Sequence, residues 1–433
     1  MNRPIECAPA VIVMSDLAAL ARQHRLIADI ADRGLTPLVI VGPSTDMARL
    51  TGHVHNDAHP LSRIAAVRQL PDAAIDSVLA AVQDWITAFD VRGVICSGEV
   101  FVDAAAVLAE ALGLPSPGTW AARVCRDKVM QRVVLRDHGP SWRAFAPHER
   151  DTVASDAYPC VIKPAGRMFS SGVFRVGDDA ELRAALAAYE PDETILVEEL
   201  VTGPEFSVEA LVHRGELLWS GITAKITNED SSPYFTEIGH TCPARLPAPQ
   251  ADTLVAANAA VLKTLRFDSG ITHAEFRLQD GRPVLMEIAA RLPGDAITML
   301  WHLATGQPIE PALVDLALDV RPEYPAPTRR AVQRFVPHHP GRLTDVRYAG
   351  EPVSWIADDG YWPTVVATDP QAPARCASVM VGLRRGSALG ALHDSNGRSA
   401  CVVVDLPWDA DPEHETNVHV DQVDLTIDLH GVD

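Results

Sequence analysis

Two glutamates in apolar surroundings open the chemistry of this chain. Glu287 stands in VLMEIAARLPGD (284–295), where an apolar run meets an acid, two alanines and Arg291. Glu275 lies twelve positions earlier in THAEFRLQDG, again an acid within an apolar stretch. The two stretches read as a β-hairpin. A two-residue turn at Asp280–Gly281 pairs 275 with 286 and sends the two acids to opposite faces. An odd loop with Gly281 in the left-handed position puts both on one face, a few Å apart. Two carboxylates held so close repel each other and cost desolvation unless a cation lies between them. Mg²⁺ suits that role, because it takes one or two carboxylates and completes its shell with water and phosphate oxygens. The alternative reading is a pair of salt bridges, to Arg277 and Arg291.

Other stretches could serve a phosphate-bearing ligand. VIKPAGRMFSSGV (161–173) places Lys163 on a strand before a loop of small residues, including Ser170, Ser171 and Gly172. Such a loop lets backbone N–H groups approach a phosphate while the lysine offers a point charge. The Walker spacing is absent, as are G-x-G-x-x-G after the first strand and G-x-S-x-G anywhere. ILVEEL (195–200) ends an apolar strand in Glu198 and Glu199, and VTGPEF places Glu205 just past a Gly-Pro turn. The chain has 37 Lys plus Arg, yet only Lys128, Lys163, Lys225 and Lys263 are lysines. In so arginine-rich a chain, retained lysines point to places where a compact ammonium is useful, as at phosphates.

The elements that must position these residues fall into zones. The first third alternates short apolar strands (AVIVMS, TPLVIVG, VRGVICSG) with helices, including one continuous helix after Ser15 closed by Gly34. That pattern predicts a parallel sheet covered on both faces. From about residue 125 the pattern becomes α+β with antiparallel strands, a turn at Arg214–Gly215 and the acid-bearing hairpin. A Pro-rich linker, 321–330, precedes a strand-rich stretch of about 100 residues.

At 433 residues the chain exceeds one ordinary core, so several domains are expected. A formal net charge of −20 argues against nucleic acid and anionic membranes as partners. With no long apolar run and seven scattered cysteines, the reading is a cytoplasmic protein with reduced thiols. HVHNDAH (53–59) reads as a solvated loop.

Taken in order, Lys128, Lys163 with its small-residue loop, Glu198–Glu199, Glu205, Glu275, Glu287 and Arg291 resemble the ATP-grasp superfamily over about 90–320. The resemblance implies an α/β and α+β fold with four parts. These are a Rossmann-like domain (1–124), a small lid subdomain (125–205), a metal-binding subdomain (206–320) and a strand-rich C-terminal domain (331–433). It implies ATP and one or two Mg²⁺ ions. Lys128 and Lys163 are then phosphate ligands, and Ala165 to Gly172 a mobile flap. Glu198, Glu199 and Leu200 form the adenine hinge, and Glu205 binds ribose. Glu275 and Glu287 bind metal, and Arg291 steadies the phosphoryl group and the intermediate.

EIAAR, with Ala289 where the superfamily commonly has Asn, is similar to the dipeptide-forming L-amino acid ligases. In that branch Glu237, His240 and Asp295 become candidate substrate contacts, and an acid at 295 hints at an amine-bearing or polar substrate. The implied activity is ATP-driven joining of a carboxylate to an amine through an acyl phosphate, on small-molecule substrates and with a homodimer expected. Two alternatives stay open. One is another ATP-grasp reaction, such as purine-pathway ligation or carboxylation, and the other is a non-catalytic ATP-binding scaffold.

Overall fold

The computed structural model describes residues 7–349 and 351–429. Near the N-terminus, four parallel strands run in the order Ala66–Gln69, Thr36–Val41, Ala8–Ser15, Phe89–Cys96. The inner strands are almost unbroken Val, Ile and Leu because helices cover both faces. The order reverses between Ala8–Ser15 and Phe89–Cys96, whose neighbours in sequence lie on opposite sides. In open parallel sheets a crevice forms at the carboxyl end of such a reversal.

The first helix is not continuous, contrary to the sequence expectation. It consists of Leu17–Arg22 and His24–Asp32, separated at Gln23, whose dihedrals (φ −109°, ψ 31°) leave the helical region. The His-rich segment also differs from a solvated loop. His53 lies in the helix Met47–Val54, and His59 is buried, stacked on His53 at 4.0 Å with its edge to Tyr361.

Residues 142–199 build a small antiparallel sheet ordered Trp142–Phe145, Ile195–Glu199, Cys160–Pro164, Phe174–Val176. The helix Asp179–Leu186, capped by Asp178, closes one face over a core of Phe145, Ile162, Leu182 and Val197.

The central feature is a nine-stranded sheet. The hairpin Gly270–Gln279 and Arg282–Ala289 forms one end, followed by Glu205–His213, Glu216–Thr227 and Glu237–Cys242. Arg214 and Gly215 both have positive φ (50° and 78°), as the expected two-residue turn requires. Arg329–Phe335 then pairs with Glu237–Cys242, so strands after the Pro-rich linker carry on the same sheet. Among the described residues no helix is long and apolar enough to cross a membrane.

Candidate active site

The hairpin brings its two acids together by a device the sequence reading did not foresee. The loop is the even one: Gln279 pairs with Arg282, and Asp280 and Gly281 both have positive φ (52° and 79°). That register holds to Phe276↔Leu285. A β-bulge then shifts it, so that Glu275 stands opposite Glu287. One extra residue, Met286, therefore does what an odd loop was expected to do. Both acids line a cleft of about 380 Å³ between the small sheet, the central sheet and the N-terminal domain.

The expected partners Arg277 and Arg291 hold other acids. Glu275 accepts from Lys225 and faces His273 Nε2 at 3.1 Å, and Glu287 lies 3.1 Å from Lys128 Nζ. Lys225 also reaches Glu237 at 3.0 Å and Glu205 at 3.9 Å. Burial works against its charge, but these three carboxylates raise its pKa well above the ordinary lysine value. Burial would push Glu275 up, yet Lys225 and His273 hold it well below the usual carboxylate range. Arg277 forks onto Glu205 (2.8 and 3.0 Å) and Glu229 (2.9 Å).

This cluster bears on the fit of a metal. Carboxylate oxygens of Glu205, Glu237 and Glu275 all lie within 4.8 Å of one another. Glu209 and Glu229 complete five acids, which meet three cations, Lys225, His273 and Arg277. The surplus of negative charge suits a divalent cation, with Glu275 central to the set and Glu287 facing it across the ribbon.

Across the cleft, Lys163 is buried and 2.8 Å from Glu198, whose other oxygen meets Arg132 at 2.6 Å. Burial, helped by the Arg132 charge and opposed by Glu198, leaves Lys163 lowered from the ordinary lysine value. Burial opposes ionisation of Glu198, but Arg132 and Lys163 hold its carboxyl down to about 2. Both oxygens of Glu198 are thus engaged within the protein. Its side chain fixes Lys163 rather than standing free as the adenine acceptor that the sequence reading made it. Strand alternation leaves the neighbouring Glu199 exposed, where Ser141 donates to it, and both Glu199 and Leu200 line the cleft. Glu205, expected at ribose, lines the cleft and sits with the carboxylate cluster.

The small-residue loop arches over the opening. Phe169 and Ser170 have positive φ (62° and 57°), as does Gly172 (74°). At Gly172 a Cβ would lie 3.1–3.2 Å from Arg167, Tyr189 and Pro164, so the position favours glycine on both counts. Lys128 Nζ donates to Arg167 O at 3.0 Å, tying a predicted phosphate ligand to the loop itself. Ser170 and Ser171 line the cleft, and the Phe169 side chain is exposed.

The substrate-side candidates also converge. His240 Nε2 lies 2.8 Å from Asp295, which Arg398 grips bidentately at 2.6 and 2.8 Å. Burial would raise the Asp295 pKa, but Arg398 and His240 drive it far below the carboxylate range. An acid at 295 therefore does not by itself point to an amine-bearing substrate, because its charge is already answered inside the protein. Glu237 takes Lys225 on one oxygen and Ser395 (3.1 Å) on the other.

Arg291 pairs with Glu99, from the N-terminal domain, through its Nε, and its Nη1 donates to Leu292 O at 2.8 Å. Burial opposes the charge of Arg291, yet Glu99 keeps its pKa raised. Sequence reasoning missed Glu99, His273, Arg132 and Arg398, and gave Lys225 no role. The scarcity of lysine was the one signal that pointed to Lys225. Three of the four lysines line the cleft, and Lys263 lies exposed on the helix Ala248–Leu265.

Known proteins share the domain and the fold that hold this cleft. Residues 156–299 match the ATP-grasp domain. A D-alanine–D-alanine ligase of Sodalis glossinidius is 33% identical over 231 residues, covering 48% of this chain and 62% of the relative. Dapdiamide A synthase of Enterobacter agglomerans is 27% identical over 245 residues, covering 52% and 55%. The chain spans about half to two thirds of the length of such curated relatives. The crystal structure of an L-amino acid ligase from Bacillus licheniformis superposes with a TM-score of 0.73 over 98% of this chain and 99% of that one, at 20% identity. A phosphoribosylglycinamide synthetase from Anaerococcus prevotii gives 0.67 over 97% and 100%, at 13% identity. The chain thus has the ATP-grasp fold and carries, over residues 156–299, an ATP-grasp domain.

Proposed function

We propose that this protein is an ATP-dependent carboxylate–amine ligase that forms an amide or peptide bond between small molecules, one of them an amino acid. The observation that carries the reading is one cleft holding lysines, a carboxylate cluster and Arg291 under a small-residue loop. Ligase relatives such as the D-alanine–D-alanine and dapdiamide enzymes support the same reaction type.

A carboxylate is a poor electrophile at neutral pH because oxide would have to leave. Phosphorylation by the γ-phosphate of ATP gives an acyl phosphate, from which phosphate leaves when the amine attacks. The protein's task is positioning and charge neutralisation. Lys163, held by Glu198, and Lys128, tied to the loop through Arg167 O, stand on the lid side to hold phosphate oxygens. Glu275 and Glu287, with Glu205 and Glu237 beside them, are the groups that would hold Mg²⁺, which when bound neutralises triphosphate charge during transfer. Arg291, aimed by Glu99, stabilises the developing oxyanion. The loop from Ala165 to Gly172 keeps water from an intermediate that hydrolyses readily.

The test incubates the protein with ATP, Mg²⁺ and the proteinogenic L-amino acids in pairs, following ADP release and coupled products by mass spectrometry. One amide product per ADP supports the reading. ADP release that no amino acid stimulates, with no coupled product, would sink it.

A further inference from the structure

Five arginines line the cleft, and four of them hold carboxylates: Arg167 with Glu193, Arg277 with Glu205, Arg291 with Glu99, and Arg398 with Asp295. Arg22 is the exception. Among the described residues it makes no hydrogen bond or ion pair, and its Nε is buried without a partner. Its one defined contact is a guanidinium 5.9 Å above the Trp362 ring. Arg22 is half-buried; a buried guanidinium nitrogen left unpaired is costly, and the planar fork matches a carboxylate.

Its place in the fold points the same way. The short helix Leu17–Arg22 begins at Asp16, just beyond the carboxyl end of the strand Ala8–Ser15. That strand and Phe89–Cys96 flank the reversal in strand order, and Ser97 Oγ donates to Ser15 Oγ across it at 2.7 Å. The break at Gln23 makes Arg22 the last residue of this helix, on the N-terminal wall of the cleft. The phosphate-side lysines belong to the opposite, lid side. Burial and the nearby Arg291 lower the Arg22 pKa, Asp16 and Asp295 offset this only in part, and an arriving anion would add to that compensation.

Building on the ligase reading, we infer that Arg22 binds a substrate carboxylate other than the one being activated. The two sources are the α-carboxylate of the amine substrate and a second carboxylate on the acid substrate. Either way the preferred substrate pair carries a free carboxylate through the reaction, and the product keeps it.

The test starts from the amino-acid pair that the panel above identifies. In one arm the amine substrate is compared with its α-carboxamide; in the other, Asp and Glu are compared with Asn and Gln as acid substrates. Wild type and Arg22→Met are assayed in both arms, with thermal melting and KM for ATP alongside. Arg22→Gln replaces the Met variant if that one melts early. In one arm the wild type should prefer the carboxylate about ten- to a hundredfold in kcat/KM, the scale of one charge-assisted contact. The variant should lose that preference through a raised KM, with KM for ATP unchanged. The responding arm names the source. Normal coupling by the wild type, with the variant keeping the same preference and KM in both arms, overturns the assignment of Arg22 while leaving the ligase reading intact. No coupled product from any pair overturns the ligase reading, and this inference with it.

Discussion

At the residue scale, the cleft is organised by ion pairs that bridge long stretches of chain. Arg291 meets Glu99, Arg398 meets Asp295, and Arg132 meets Glu198. Each aims a group that the sequence reading, by itself or through the family resemblance, had already named. Glu275, Glu287 and Lys163 were legible because an acid or lysine inside an apolar strand is costly and needs a reason, whereas the role of Arg291 came from the family resemblance. Their aiming partners were not legible, because Glu99 lies 192 positions from Arg291 and nothing local in SGEVF (97–101) distinguishes it from a surface acid. Removing one charge from a transition-state site typically costs about 10²–10³ in rate. Arg291→Ala and Glu287→Ala should therefore each lower kcat for ADP formation by at least that range, with melting temperatures close to wild type. Near-normal turnover in either variant would remove that residue from the site.

At the element scale, the hairpin shows how a right expectation can rest on the wrong device. Alternation and Asp280–Gly281 were enough to predict the ribbon and its turn, but not the bulge at Met286 that brings the acids opposite each other. Bulges leave no compositional trace when the extra residue is itself apolar. The same limit applies to the helix after Ser15, where a polar Gln23 fits the amphipathic pattern yet ends the first helical segment. The turn that delivers Glu205 is more stringent. Gly203 has φ 100°, and a Cβ there would stand 2.2 Å from Leu278 O, a backbone atom that cannot easily yield. Gly203→Ala should therefore destabilise the protein by about 2–3 kcal/mol or more, adding backbone strain to steric conflict. Denaturant unfolding of the variant checks this, and an unchanged midpoint would show that the turn relaxes freely.

At the scale of the whole molecule, the zones read from sequence correspond to the parallel sheet, the small antiparallel sheet and the acid-bearing hairpin. What the sequence could not show is that strands beyond the Pro-rich linker join the central sheet, because strand pairing between distant segments depends on tertiary packing. That continuity carries Arg398 and Ser395 to the cleft, where they meet Asp295 and Glu237. One cleft is thus walled by the N-terminal domain, the lid sheet, the central sheet and the segment 395–398 that leads into the C-terminal strand Ala400–Pro407. The central claim is that a substrate carboxylate is phosphorylated there before the amine arrives. It is tested most directly with ATP, Mg²⁺, the amine and an acid substrate labelled with ¹⁸O in its carboxylate. Mass analysis of the released phosphate should find one labelled oxygen per product formed. Unlabelled phosphate accompanying the coupled product would contradict the account.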